Sequence, residues 1–488
     1  MRPIRNAPHD ASPSRSQMVC RTPEPRSVTA RTSFAAMTLS SLVLLACGDD
    51  DVTVDAHVPA LDAGVDAAPM RDAGPPLEPL DRPALPAGNT LGPEDPRYQG
   101  MLRFLWDNWG VEIGSEWPPA EFMLALMADD EFGDQFENFG FLRDPNDEFP
   151  IGFKRGLSDP SRVYQTCALC HVGELPDGEL WLGLPNDRLD LGAFRVAVNE
   201  RWVAAGNDPL VSSLEAEKAA ALGPGRFNAE SGDYPQVVPA DFPPYFHLDE
   251  RTHLNYLGTG RDVRTEAYMA IFSFGAGNPN DEDALVPFPR RERTAQLVEF
   301  FSAMDAPPAP DVAAAERVAR GRAVFEAARC VSCHVDDPGE LGVIPYASDG
   351  IERIPGDDEA FPEGSIATSR YHRILIDGDE MGGGAPSDEG RAALVTFIFR
   401  NMLRVSPSDG YRVADLRGVW ATAPYLHNGS VPTLDALLTP TEARPTAFDR
   451  HGFTVDTTRA GNGNEGHEFG TDLSDDDRAA LIAYLRSL

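Results

Sequence analysis

The sequence predicts a mainly α protein made of two tandem domains with long irregular loops. Three observations carry that prediction. Apolar residues recur at helical spacing in several stretches, and Gly, Pro and Asp crowd the segments between them. One five-residue pattern also occurs twice beside helical sequence, as CALCH at 167–171 and CVSCH at 330–334, its two copies 163 residues apart. A Pro-rich break, DAPPAPD at 305–311, falls between the copies and divides the body into 97–305 and 312–488.

Taken in order, residues 1–33 carry six arginines and only two acids, and the apolar run FAAMTLSSLVLLAC follows from Phe34. A basic start, a short apolar run and a small residue before cysteine predict a secretory signal over 1–46, too short in its apolar part to span a bilayer. LLAC fits a lipobox that would make Cys47 the lipidated first residue; an ordinary signal cut nearby is the alternative. Residues 47–96 are dominated by Asp, Ala and Pro and are expected to form a disordered tether. Helical pattern begins at YQGMLRFLWDNW, where Met101, Leu102, Leu105, Trp106 and Trp109 share a face, and continues in PAEFMLALMA after a Pro-Pro start. Residues 175–290 read as long loops with short helices, and RERTAQLVEFFSAM returns to helical period before the break. The second domain opens on a helix that runs into CVSCH and closes on LSDDDRAALIAYLRSL, with Ser474 as cap and Leu481, Tyr484 and Leu485 as the apolar stripe.

The cysteines say what the repeated pattern is for. The chain has six, and beyond Cys20 and Cys47 the two motifs use all of them: Cys167, Cys170, Cys330 and Cys333. A disulfide framework suits a small cysteine-rich domain, and a redox CxxC has no need of the following histidine. Zinc knuckles rarely place a histidine directly after both pairs. Covalent haem c attachment explains all three residues of each motif: thioethers from the two thiols, and a proximal imidazole from His171 or His334. Two haems c are expected, and their attachment outside the bacterial cytoplasm agrees with export.

The formal net charge is −35, and the leader's arginines make the remainder more acidic still; Lys154 and Lys218 are the only lysines. Such a surface repels nucleic acid and anionic lipid and favours a cationic electron-transfer partner or a neutral substrate. The expected membrane contact is the lipid anchor alone, at the periplasm or cell surface.

Small Gly321 allows close approach of the closing helix at Tyr484, so that the first and last helices of the second domain cross, as in class I cytochromes c; the 291–304 helix offers the same closure to the first domain. With LRGVWATAPYLHNGSVPTLDALL at 416–438 and EGHEFGTDLSDDDRAALIAYLRSL at the end, the chain resembles the bacterial di-haem cytochrome c peroxidase superfamily, which includes MauG-type enzymes, and most closely its rubber oxygenase-like branch. RTHLNYLGTG at 251–260 adds to that likeness. The resemblance implies that His467, in GHEFG, is the distal ligand of the second haem, with Met381 in DEMGGG as the alternative sixth ligand. It implies that carbonyls of Thr422 and Pro424 help hold a Ca2+ ion, and that His427 lies at the haem interface as a hydrogen-bonding group. Where relatives carry Trp-Asp-Gly between the haems, this chain has Tyr256, Leu257 and Gly258, so Tyr256 is the interface candidate and a tryptophan relay is in doubt. His247 and His253 are open candidates for the sixth ligand of the first haem, without support from spacing.

The expected function is that of a redox enzyme, peroxidase- or oxygenase-like, with an active first haem and an electron-relaying second haem. Its partners would be peroxide or dioxygen, an organic substrate if the reaction is oxygenation, and a small redox protein. The competing class is a plain electron carrier with both irons six-coordinate.

Overall fold

The computed structural model describes residues 78–107, 117–157, 159–227, 237, 239–256, 258, 260, 263–264, 266–267, 291–309, 313–335, 339, 341–345, 410–459 and 461–488. The signal region, Cys47, Trp109, Leu257 and Met381 lie outside them.

Helices α1 (Tyr98–Trp106) and α2 (Ala120–Leu126) occur where the periodicity places them. A single turn, α3 (Ala168–His171), carries the first motif. Two helices follow, α4 (Leu191–Ala204) and α5 (Ser213–Ala220), capped by Asp190 and Ser212 side chains. The 14-residue α4 corrects the expectation of only short helices in this stretch: Leu191, Phe194, Ala197 and Val198 form a buried helical face inside a Gly- and Pro-rich surrounding. Then come α6 (Arg291–Phe301), α7 (Ala315–Ala327), the single turn α8 (Leu434–Leu437) and α9 (Asp475–Leu485), with Ser474 accepting from the Asp477 N–H as expected.

Among the described residues the strands form four two-stranded antiparallel pairs: β1 (Phe153–Arg155) with β2 (Val163–Gln165), β3 (Val172–Glu174) with β4 (Leu180–Leu182), β5 (Val343–Pro345) with β6 (Gly410–Arg412), and β7 (Ala447–Arg450) with β8 (Phe453–Asp456). None of the helices described is long and apolar enough to cross a membrane.

Each half is closed by crossing helices, and each crossing has a glycine at its centre. A Cβ on Gly321 of α7 would lie 2.0 Å from the Ala480 carbonyl oxygen of α9 and 2.7 Å from the Tyr484 Cβ. A Cβ on Gly100 of α1 would lie 1.9 Å from the Gln296 carbonyl oxygen of α6. Only hydrogen in place of a side chain lets the backbones approach so closely. Around the first crossing Phe104 packs on Phe300 and Phe301; around the second, Phe325 packs edge-on to Tyr484 over Leu481 and Leu485.

The expected tether over 47–96 needs correction at its end. Residues 78–96 belong to the folded body: Leu85 is buried, Pro83 accepts the Trp106 indole N–H at 2.9 Å, and Gly88 bonds both ways with the β4 backbone. Leu85 joins the core around α1, and Leu80 packs against it.

Candidate functional site

The first motif is a tight turn set between two hairpins. Thr166 N–H bonds to the Gly152 carbonyl at 2.8 Å, and a Cβ on Gly152 would lie 2.0 Å from Leu169 N, so α3 sits flush on the loop before β1. Carbonyls of Cys170 and His171 accept from Asn186 and Gly183, tying the end of the motif to the loop after β4. His171 Nδ1 lies 3.1 Å from the Pro243 carbonyl, and its ring stacks on Tyr245 at 3.6 Å. A backbone carbonyl on Nδ1 fixes the tautomer that leaves Nε2 with a free lone pair, as in metal-ligating histidines. Desolvation pushes the His171 imidazole down to about 3, so it is neutral at physiological pH, and pushes both thiols up to about 12. Tyr245 in turn donates to Glu266 Oε2 at 3.0 Å.

At the second motif α7 ends at Ala327, Arg329 takes the left-handed conformation, and a 3-10 turn over Cys330–Ser332 leads to Cys333 and His334. His334 Nδ1 lies 3.0 Å from the Ala414 carbonyl, the same arrangement as at His171. Opposite it stands His467, ring centroid to ring centroid 6.3 Å. Two imidazoles bound to one metal from opposite sides need roughly 2 Å for each metal–nitrogen bond and about 1 Å more from each nitrogen to its ring centre, close to the separation found. Burial lowers both imidazoles; His467, lowered to about 4, is pushed down further by repulsion from a protonated His334 and from Arg444. Phe469, one of the large apolar residues left exposed among those described, meets the His467 ring edge-on, and Val331 within the motif is exposed as well. Exposed apolar side chains around two facing imidazoles suit a flat apolar macrocycle. Among the described residues no three or more of His, Cys, Asp and Glu group together to hold a metal ion.

Of the other expected site residues, Tyr256 and His427 are brought together, their rings 6.5 Å apart near β6, where Tyr411 packs on His427 at 5.1 Å and the Arg412 N–H bonds to the Tyr256 carbonyl. Both are enclosed, and burial pushes the Tyr256 phenol well above its usual range. Thr422 and Pro424 lie in the turn after Trp420; the Thr422 hydroxyl bonds to the Val419 carbonyl, and the Ala423–Pro424 peptide is cis. Trp420 packs with Phe246 and donates to the Pro307 carbonyl. His247 is engaged at both nitrogens, by the Ala306 N–H at 3.4 Å and by Asp305 and Glu250. The sequence reading missed Tyr245, Glu266 and Arg444, none of which belongs to a recognisable local pattern.

Residues 410–449 match the RoxA-like, cytochrome c-like family. Two uncharacterized proteins of Sinorhizobium fredii, y4iJ and y4iM, are 43% and 51% identical over 16% and 12% of this chain. The chain spans only 18% and 13% of their respective lengths. A MauG-like protein associated with microbial copper homeostasis aligns with 51% of this chain and 73% of its own at 19% identity and a TM-score of 0.30. Hydrazine synthase of Kuenenia stuttgartiensis aligns with 53% of this chain and 74% of its own at 14% identity and a TM-score of 0.27. The family match falls on the LRGVWATAPYLHNGSVPTLDALL segment, and there the chain is similar to the di-haem cytochrome c superfamily in its RoxA-like branch. Cytochrome c-like sequence implies covalently bound haem c.

Proposed function

We propose that this chain is an exported di-haem c-type redox enzyme. Cys167, Cys170 and His171 would hold a first haem, supplying a site for the oxidant; Cys330, Cys333, His334 and His467 would hold a second, supplying electron transfer. The observation that carries this reading is the asymmetry of two otherwise matching turns. Both CxxCH histidines rest Nδ1 on a backbone carbonyl, at 3.1 and 3.0 Å. A second imidazole faces His334 at 6.3 Å, whereas His171 is stacked on Tyr245.

A haem c supplies one-electron chemistry and, where one axial position is open, a place for peroxide or dioxygen. The protein's own share is orientation and exclusion of water. The Pro243 and Ala414 carbonyls hold the proximal rings in one tautomer, and the Tyr245–Glu266 pair keeps a hydrogen-bonded polar group beside the first motif. Tyr256, at the position of the relatives' tryptophan, lies beside His427, which would serve there as a hydrogen-bonding group. The Ca2+ proposed at the Thr422 and Pro424 carbonyls and the lipid anchor at Cys47 rest on the resemblance and on the leader sequence. The acidic surface suits a small cationic redox protein as electron partner. Reduction of peroxide and oxygenation of an organic substrate both fit the site.

Carbon monoxide titration of the fully reduced protein tests the division of labour. One molecule bound per two haems is expected. None bound favours the electron carrier with two six-coordinate irons, and two bound removes His467 from the second iron.

A further inference from the structure

His467 lacks the support that fixes the other two ligand histidines. His171 and His334 each rest Nδ1 on a backbone carbonyl, whereas His467 Nδ1 is buried without a hydrogen-bond partner. Its backbone lies in the left-handed region, with φ at 52°, which is less favourable for an L-residue than the helical or extended regions. The preceding Gly466 has φ at 92°. A ligand in such a loop has to be positioned through its main chain.

One side chain does this. Arg444 is 3% exposed and directs its guanidinium at five carbonyl oxygens. Nη1 bonds to Asn464 and to Gly466 (2.8 Å), Nη2 to His467 (3.3 Å) and Leu437 (3.2 Å), and Nε to Thr439 (3.0 Å). Three of these acceptors belong to the loop that carries the ligand and two to the end of α8 and the turn after it, so the guanidinium stitches one to the other. A second tie joins the same segments: Thr441 donates from its hydroxyl and its N–H to Glu468 Oε1. A planar guanidinium with five fixed donors suits this task, and an ammonium with three donors at a single point does not.

We propose that Arg444, seconded by Thr441, is a positioning residue that holds His467 on the second haem iron through the backbone of residues 464–467. The proposal rests on the assignment of His467 as the sixth ligand, and its test separates the two. Resting spectra and EPR of the holoprotein are recorded for Arg444→Lys, Arg444→Met, Thr441→Val and His467→Ala. His467→Ala should convert one low-spin haem to high spin; if it does not, the ligand assignment falls, whatever the arginine does. Given that conversion, both Arg444 variants should show a mixture of low- and high-spin signals from the second haem, with added imidazole restoring the low-spin form. Spectra of Arg444→Lys and Arg444→Met identical to the parent, in protein with both haems attached, would overturn the proposal. Should neither arginine variant accumulate in folded form, Thr441→Val decides by kinetics. Cyanide binding to the ferric second haem waits on release of His467, and losing a hydrogen bond to a carboxylate should speed it about tenfold. An unchanged rate would dismiss the strap.

Discussion

Asp241 shows how a single buried group ties the two halves together and sets a pH dependence. It is 6% exposed and lies 2.7 Å from Arg450 Nη1; Arg226 and Asp187 also bear on it. Burial outweighs the attraction of the two arginines and raises its carboxyl to about 6. A carboxyl raised in the fold binds its proton more tightly there than in the unfolded chain. Its contribution is therefore complete below about pH 4 and is lost as pH climbs through 6, by at most about 3 kcal/mol. Urea unfolding followed between pH 4 and 7 should show this decline in the parent, and Asp241→Asn should flatten it; equal slopes in the two proteins would refute the assignment. The sequence marked His171, His334 and His467, because the CxxCH pattern is local and GHEFG is a family segment. It was silent on Asp241, Tyr245 and Arg444. Their partners lie far away along the chain, as Arg450 does from Asp241, or are main-chain carbonyls, which leave no trace in residue identity.

Among the elements, helices α7 and α9 were legible because their apolar residues recur at 3.6-residue spacing over two or more turns. The hairpins were not, since three- and four-residue strands such as β7 and β8 are too short to display alternation. Helix α4 did carry a signal, with Leu191, Phe194 and Val198 at helical spacing, but the Gly- and Pro-rich flanks governed the reading of that stretch. The crossing at Gly321 was expected from one small residue on the face of α7, and it gives a sharp prediction. A methyl group there would sit 2.0 Å from the Ala480 carbonyl oxygen, backbone that can give way only if α9 shifts. Gly321→Ala should destabilise the second domain by about 1–3 kcal/mol despite the better helix propensity of alanine. Gly342→Ala is the control: its methyl would meet nothing within 4 Å, and the φ there is ordinary. Thermal unfolding followed at the absorption of the second haem compares the two, and equal midpoints would show that α7 and α9 are not locked at Gly321.

At the scale of the whole molecule, the Pro-rich break at 305–311 divides the chain more than it divides the packing. Arg226 Nη1 bonds to Asn462 Oδ1 at 2.9 Å, the Asp241 N–H bonds to the His427 carbonyl at 2.8 Å, and His451 meets Asp187 at 2.8 Å, so residues 187–241 hold on to residues 427–462. The ligand sets nevertheless stay apart. The proposed second set, Cys330, Cys333, His334 and His467, with Arg444 behind it, belongs to 312–488, as do both rings of the pair at 6.3 Å. Loss of the first haem should therefore leave the coordination of the second intact while loosening the surfaces that join the halves. Replacing both Cys167 and Cys170 by Ala should halve the covalent haem seen on a haem-stained denaturing gel. The remaining haem should keep the low-spin spectrum of two axial imidazoles and bind no carbon monoxide when reduced. Unchanged staining would end the assignment of a haem to CALCH. A high-spin remaining haem would mean that the fit between the halves, and not the 464–467 loop alone, keeps His467 opposite His334.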